Sequence, residues 1–363
     1  MGIFEIQLVC VIFHYILYYD YTIYSILRKA WTQYLRFSDT LGETGMKLGI
    51  AGTGKIVQEA LPVILDAAQP EQTVLMGREN SEERTERLTA QYGLAGYVLD
   101  FDALLESDAD VIYIALPNQL HYETARRALL AGKHVIVEKP AAVVLTELQE
   151  LCRLAAQQHK IFVEAMTLHH LPAWKSLREK VSELGEIRLV CFQFCQYSSR
   201  YDAFLRGEIA PSFDPACAGC ALTDHGVYNL HAIVDLFGSP RQVSYAPNLM
   251  RGVDTSGILT MAYSGFQAVS IAAKDCQAPV SSTIQGTEGC IRIPVPANGL
   301  NRYEVYMNGQ PPRAYDFTSD RHRMYWEFQE FARMIRELDF SSAARLQTVS
   351  LGVVRILDSV RRV

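Results

Sequence analysis

The chain has no long basic run. Its 34 Lys and Arg are outnumbered by 40 Asp and Glu, for a formal net charge of −6, so the electrostatic footprint of a nucleic-acid binder is missing. A disulfide framework is missing too. The eight cysteines (Cys10, Cys152, Cys191, Cys195, Cys217, Cys220, Cys276 and Cys290) are scattered through 363 residues, which reads as reduced thiols in a cytoplasmic protein. Cys217 and Cys220 have the spacing of half a zinc site, but no second Cys or His pair of matching spacing follows, and no metal is expected.

Nor is there a clean spanning segment. Residues 3–27 are rich in Ile, Leu, Phe and Tyr, but Glu5, Gln7, His14 and Asp20 interrupt them, and a spanning helix needs about 20 mostly apolar residues. One Asp near a helix centre costs roughly 2.5–3.5 kcal/mol on insertion. The first cation is Arg28, whereas a signal peptide carries positive charge ahead of its apolar core. We expect residues 1–45 to lie outside the fold and no membrane partner to be involved. A weak anchor backed by Arg28, Lys29 and Arg36 is the alternative.

What is present is an ordinary soluble composition, 49% hydrophobic and 20% charged, in a chain long enough for two cores. From Met46 to about residue 165, short apolar runs alternate with amphipathic helical stretches. Strands are expected near 47–51, 73–76, 110–116, 135–137 and 161–164. Such alternation predicts a doubly wound parallel sheet, the Rossmann arrangement. After residue 165 the pattern changes. A helix over 171–184 is followed by a long alternating strand over 186–198, with Val190, Phe192, Phe194 and Gln196 on one face. Strands near 241–248, 256–263, 266–275, 281–286 and 289–293 and two final helices near 321–337 and 342–361 complete it. Residues 166–363 should thus form a second α/β domain with a large, mostly antiparallel open sheet, its last helices able to return to the first domain.

Three motifs in the first half carry chemistry. Gly52-Thr53-Gly54-Lys55-Ile56 lies between the first strand and the first helix, where one glycine permits the tight turn and the next lets backbone approach a pyrophosphate at the helix N-terminus. Val57 takes the third position of that fingerprint, where Gly or Ala is usual. At the end of the second strand an acid would grip the ribose of NAD; here Met76-Gly77-Arg78-Glu79 places an arginine instead, which favours NADP over NAD. Leu116-Pro117-Asn118 and His121 follow the third main strand. Glu138-Lys139-Pro140 ends the next one, putting a lysine at the carboxyl edge of the sheet, where ligands of such folds bind.

In this order and spacing, the three motifs resemble the glucose-fructose oxidoreductase / inositol dehydrogenase family of NAD(P)-dependent enzymes. The resemblance implies that Leu116, Pro117, Asn118 and His121 border the nicotinamide. It implies that Lys139 is the catalytic lysine with Glu138 helping to place it, and that the Lys139–Pro140 bond is cis. In the second half, Asp224, Tyr228 and His231 fall at i, i+4 and i+7, one stripe of a helix. By the same resemblance, Asp224 and Tyr228 touch the oxygen of the reacting carbon. His231 and His169 are candidate substrate contacts, and a homodimer or homotetramer is the family expectation.

The reading that results is hydride transfer between nicotinamide and a hydroxyl or carbonyl carbon of a small molecule, a sugar, cyclic polyol or derivative. Lys139 takes or gives the proton. Two rivals are a cofactor-sensing regulator on the same fold, which has no need of Lys139, Asp224 and Tyr228 together, and a glycosidase that uses bound NAD transiently.

Overall fold

The computed structural model describes residues 45–360; the segment expected to lie outside the fold falls, but for Gly45, outside the described residues. The first sheet contains β1 (Lys47–Ala51), β2 (Gln72–Met76), β3 (Gly96–Val98), β4 (Val111–Ile114), β5 (His134–Glu138) and β6 (Phe162–Ala165). Its spatial order is β3-β2-β1-β4-β5-β6 and every pairing is parallel. Helices α1 (Lys55–Ala67), α2 (Glu82–Tyr92), α3 (Phe101–Glu106), α4 (His121–Leu130) and α5 (Leu145–Gln157) connect the strands. The strand order reverses between β1 and β4, and a crevice opens there beyond the strand ends. Gly52 makes the approach possible: its φ is +125°, and a Cβ would lie 2.6 Å from the Ala115 carbonyl oxygen. β3 and α3, three and six residues long, are elements the sequence pattern does not announce.

The second sheet is eight-stranded. Its members are β7 (Ile187–Cys195), β8 (Gln242–Met250), β9 (Val253–Ala262), β10 (Gln267–Ala273), β11 (Ser282–Gly286), β12 (Gly289–Ile293), β13 (Arg302–Met307) and β14 (Arg313–Asp316), in the order β14-β13-β12-β11-β7-β10-β9-β8. Only β7 and β10 run parallel. On the inner face Val190, Phe192 and Phe194 meet Leu259, Met261 and Ile284, and this layer packs on α6 (Pro172–Val181) and α8 (Val227–Phe237) in one core, the short α7 (Tyr201–Leu205) lying between those helices in sequence. Gln196 was expected on that face; the strand stops at Cys195, and Gln196 is exposed beyond it. β13 and β14 are further strands the pattern did not mark.

The chain then returns to the first sheet. Helix α9 (Tyr325–Glu337) puts Phe328 and Phe331 into the same core as Ile50, Val57 and Leu61, with Phe328 edge-on to Tyr113 at 5.3 Å. Burying an aromatic side chain of this size is worth about 1.5–3 kcal/mol, so α9 belongs to the first core as firmly as α1 does. The last helix α10 (Phe340–Val360) packs against α5, β6 and α8. Among the described residues no helix is long and apolar enough to cross a membrane.

Candidate active site

Two cavities share a wall at Leu116 and Pro117. The first, of about 350 Å³, lies over the β1–α1 turn and is lined by Gly52, Thr53, Gly54, Arg78 and Arg84 among others. Gly54 caps α1 in an extended conformation with no side chain satisfying the helix N-terminus, which leaves backbone N–H groups available to an anion. A Cβ on Gly54 would meet nothing within 4 Å, so the space beside it belongs to the crevice rather than to packing. The donor set and the open cradle fit a dinucleotide. Arg78 stands on the crevice wall past β2, and Arg84, with Asn80 and Ser81, joins it. The sequence reading missed Arg84, which only the start of α2 brings back to the strand end. Lys55 is exposed and outside both linings, while Ile56 lines the second cavity.

His121 does not border either cavity. It is fully buried, with ring nitrogens 2.7 Å from the Leu116 carbonyl and 2.9 Å from that of Pro140. It therefore ties the turn after β4 to the turn after β5, and reaches a cofactor only through them. Asn118 lines the second cavity and donates its amide to the Cys217 carbonyl at 2.9 Å, joining the two halves of the chain.

The second cavity, of about 290 Å³, is lined by Lys139, Asp224, Arg200, Ser212 and Cys217–Gly219 among others. Lys139 follows β5, and its bond to Pro140 is cis. Its ammonium donates to Asp224 Oδ1 at 2.9 Å and to the Asp224 carbonyl at 3.3 Å, and sits 5.0 Å from the centre of the Tyr228 ring. Burial opposes the charge on Lys139, but the Asp224 carboxylate outweighs it, with help from Tyr228 and Glu138, and holds its pKa above the ordinary lysine value. Asp224 is the mirror image: burial pushes its pKa up, and Lys139 and Lys274 together bring it well below the usual carboxylate range. Glu138 accepts the Tyr113 hydroxyl at 2.7 Å and is raised by burial.

Asp224 belongs to a π-turn, Leu222–Gly226, that leads into α8. Such single wide turns recur at functional sites. Its start is held by Asp254, which accepts the backbone N–H of Ala221 at 3.0 Å and of Leu222 at 3.2 Å, and also the Tyr245 hydroxyl. Lys274, just past β10, donates to Asp224 Oδ2 at 2.9 Å. Asp254 thus fixes the turn that carries Asp224, and Lys274 holds the Asp224 carboxylate directly.

The expected stripe is split. Asp224 and Tyr228 flank Lys139, although Tyr228, 8% exposed, stands behind the lysine and not on the cavity wall. Its phenol pKa is raised by burial, against the pull of Lys139. His231 and His169 face the interior and line neither cavity. Their rings meet at 2.9 Å, with His231 3.3 Å from Glu164 and His169 3.3 Å from Asp235. They clamp α8 to β6.

A family model described as an oxidoreductase family with an NAD-binding Rossmann fold matches residues 46–166, and the GFO/IDH/MocA C-terminal domain matches 174–292. The chain belongs to the Gfo/Idh/MocA family. Its Rossmann domain binds NAD(P), and the chain is an oxidoreductase. Among relatives, the scyllo-inositol 2-dehydrogenase (NADP(+)) IolU of Bacillus subtilis is 32% identical over 321 residues, 87% of this chain and 96% of that one. The dTDP-3,4-didehydro-2,6-dideoxy-alpha-D-glucose 3-reductase of Streptomyces violaceoruber is 32% identical over 58% of this chain and 61% of its own. In fold, the chain is similar to the 3-ketoreductase KijD10 of Actinomadura kijaniata in complex with NADP and TDP-benzene. That match has TM-score 0.73 and 21% identity, covering 88% of this chain and 98% of the other.

Proposed function

We propose that the protein interconverts a secondary alcohol and a ketone on a sugar, cyclic polyol or related derivative, with NADP(H) preferred. The observation that carries this reading is the Lys139 ammonium, 2.9 Å from Asp224 in a cavity that shares a wall with the glycine-turn crevice. A bound nicotinamide supplies the hydride donor or acceptor. Gly52, Gly54 and the α1 N-terminus would hold the pyrophosphate, Arg78 and Arg84 the 2′-phosphate, and Leu116 to Asn118 would face the ring.

Lys139 manages the proton. Its raised pKa keeps it loaded, so a carbonyl oxygen placed beside Nζ receives a proton as its carbon becomes a carbinol. Alcohol oxidation is the reverse, the hydroxyl proton passing to neutral Lys139. Asp224 stays ionised and aims the ammonium. Tyr228, kept as a neutral phenol by burial, backs the ammonium with its ring 5.0 Å from Nζ and acts on the oxygen through Lys139.

The outer face of the second sheet supports self-association as a dimer or tetramer. Leu189 and Ile258 are 52% and 47% exposed there, and the pairing puts Val269 and Ile271 on the same face. Light scattering on the purified protein tests this, and a monomer at micromolar concentration would dismiss it. We place the enzyme in the cytoplasm, consistent with seven free cysteines among the described residues.

A screen of NADPH and NADH turnover against aldoses, ketoses, inositols and their keto forms tests the function. Turnover with a member of this class is the expected result. Tight cofactor binding without any turnover would favour a sensor, and glycoside cleavage without net cofactor change a glycosidase.

A further inference from the structure

Asp224 has two carboxylate oxygens, and each meets a different lysine. Oδ1 takes Lys139 at 2.9 Å and Oδ2 takes Lys274 at 2.9 Å. Lys139 is 18% exposed in its side chain and borders the cavity, whereas Lys274 is 1% exposed and is not part of the lining. A buried cation is costly unless paired, and Lys274 is heavily committed. Its ammonium also donates to the Ser212 carbonyl and lies 4.2 Å from the centre of the Phe213 ring. Its backbone N–H donates to Thr255 at 2.7 Å. A lysine held by so many contacts cannot swing to a substrate.

We infer that Lys274 is a positioning residue that sets the basicity of Lys139 by sharing its counter-ion. With one lysine, Asp224 would be a private partner that locks the proton on Lys139. With two, the carboxylate is divided, and a fixed positive charge stands across it from Lys139. That charge eases the loss of the Lys139 proton, which each catalytic cycle requires in one direction or the other. Arg200 shares the cavity lining with Lys139, and the other charged and titratable groups near it come from several elements. Asp224, Tyr228 and, through Asp224, His225 come from the π-turn and α8, and Glu138 from its own strand. Arg323 faces Tyr228 from the segment before α9, and Lys274 stands behind Asp224. Lys274 is the fixed cation of that set bonded directly to the catalytic lysine's counter-ion. The inference rests on the role given to Lys139 above.

The test is the pH dependence of kcat for wild type, Lys274→Met and Lys274→Arg on the substrate found in the screen. Removing a neighbouring like charge shifts a pKa by about one unit or more. The limb of the profile that reports Lys139 should therefore move to higher pH by about one unit in Lys274→Met. Lys274→Arg, which keeps the charge, should restore it. NADPH affinity should stay the same in both, because the crevice over the β1–α1 turn lies apart from Lys274. If Lys274→Met fails to fold, Lys274→Gln, which keeps a donor for Ser212, gives the same reading. A variant with raised KM or lower melting temperature but an unmoved pH limb would show that Lys274 only anchors the Ser212 segment, and would overturn the inference. Absence of turnover in the wild type would instead count against the proposed function itself.

Discussion

The cofactor crevice and the neighbouring cavity share Leu116 and Pro117, yet they are made of different material. Backbone and glycine form the floor of the first, with arginines only at its rim. The second has a largely apolar wall, with Ile56, Pro140 and Pro211 in it, but carries a Lys139–Asp224 pair gathered from sequence positions 85 residues apart. The first follows from topology: a reversal of strand order leaves the crevice, and a residue without Cβ lets a ligand in. The second depends on individual side chains that no backbone arrangement guarantees. Damage to the crevice should therefore read out as cofactor affinity, and damage to the charged cavity as turnover.

The sharpest break of that comparison is Lys139→Met, which deletes the ammonium and keeps the apolar stem. Proton transfer by a placed group is worth about 10²–10⁴ in rate, so kcat should fall by that order with NADPH affinity nearly unchanged. Tyr228→Phe added to it should cost little more, because groups that act as a unit are not additive. Normal turnover by Lys139→Met would remove the distinction between the two cavities.

Next comes Arg78→Ala. A charge-assisted contact is worth about 1.5–3 kcal/mol, so the preference for NADPH over NADH should fall by roughly one to two orders of magnitude in direct binding measurements. Equal weakening of both cofactors would make Arg78 structural.

The two glycines sharpen the crevice side. Gly52→Ala forces a Cβ to 2.6 Å from the Ala115 carbonyl at φ +125°; strain of that kind costs about 1–3 kcal/mol and should lower the melting temperature. Gly54→Ala meets nothing within 4 Å. Its melting temperature should match wild type while NADPH binds more weakly, since the added methyl occupies the cofactor's approach. Unchanged NADPH affinity would show that the cofactor lies elsewhere.

A stability effect away from both cavities concerns Glu327 on α9. It is 1% exposed, accepts from Thr167 at 2.8 Å through one oxygen and has no partner at the other. Burial and the nearby Glu138 push its pKa up to about 8. Because the folded form holds its proton above the ordinary carboxylate range, this group withdraws stability as pH rises from about 4.5 through 8, by at most about 1.4 kcal/mol per unit. Glu327→Gln cannot ionise, so its melting temperature should gain on wild type between pH 5 and 8 and level off above. A constant difference across that range would mean that Glu327 is already ionised in the fold.

How far these features could be read from the sequence depends on whether they are local. The glycine turn, the Glu138-Lys139-Pro140 corner and the Asp224/Tyr228 spacing are each carried by a few consecutive residues, and all three lie where the strand–helix alternation puts them. Lys274 and Asp254 are different. Each looks like an ordinary polar residue at a strand end, and only the pairing of β9 with β10 and the packing of α8 across them bring both to Asp224. His231 was misplaced for a related reason. The i, i+4, i+7 stripe assumes a regular α-helix, and the π-turn at Leu222–Gly226 rotates Asp224 relative to the residues after it. Short elements such as β3 were lost because three residues carry too little periodicity to be told from a loop.

The central claim is that hydride moves to a substrate carbon while Lys139 serves its oxygen. It is tested most directly with NADPH carrying deuterium at nicotinamide C4, in each of its two epimeric forms, and a keto sugar or keto inositol from the screen. The account predicts that one epimer delivers deuterium to the carbinol carbon of the product, seen by NMR. It also predicts that Lys139→Met slows this transfer by at least about 10² without changing where the label goes. A product carbon free of deuterium from both epimers, or a label transferred at the wild-type rate without Lys139, would contradict it.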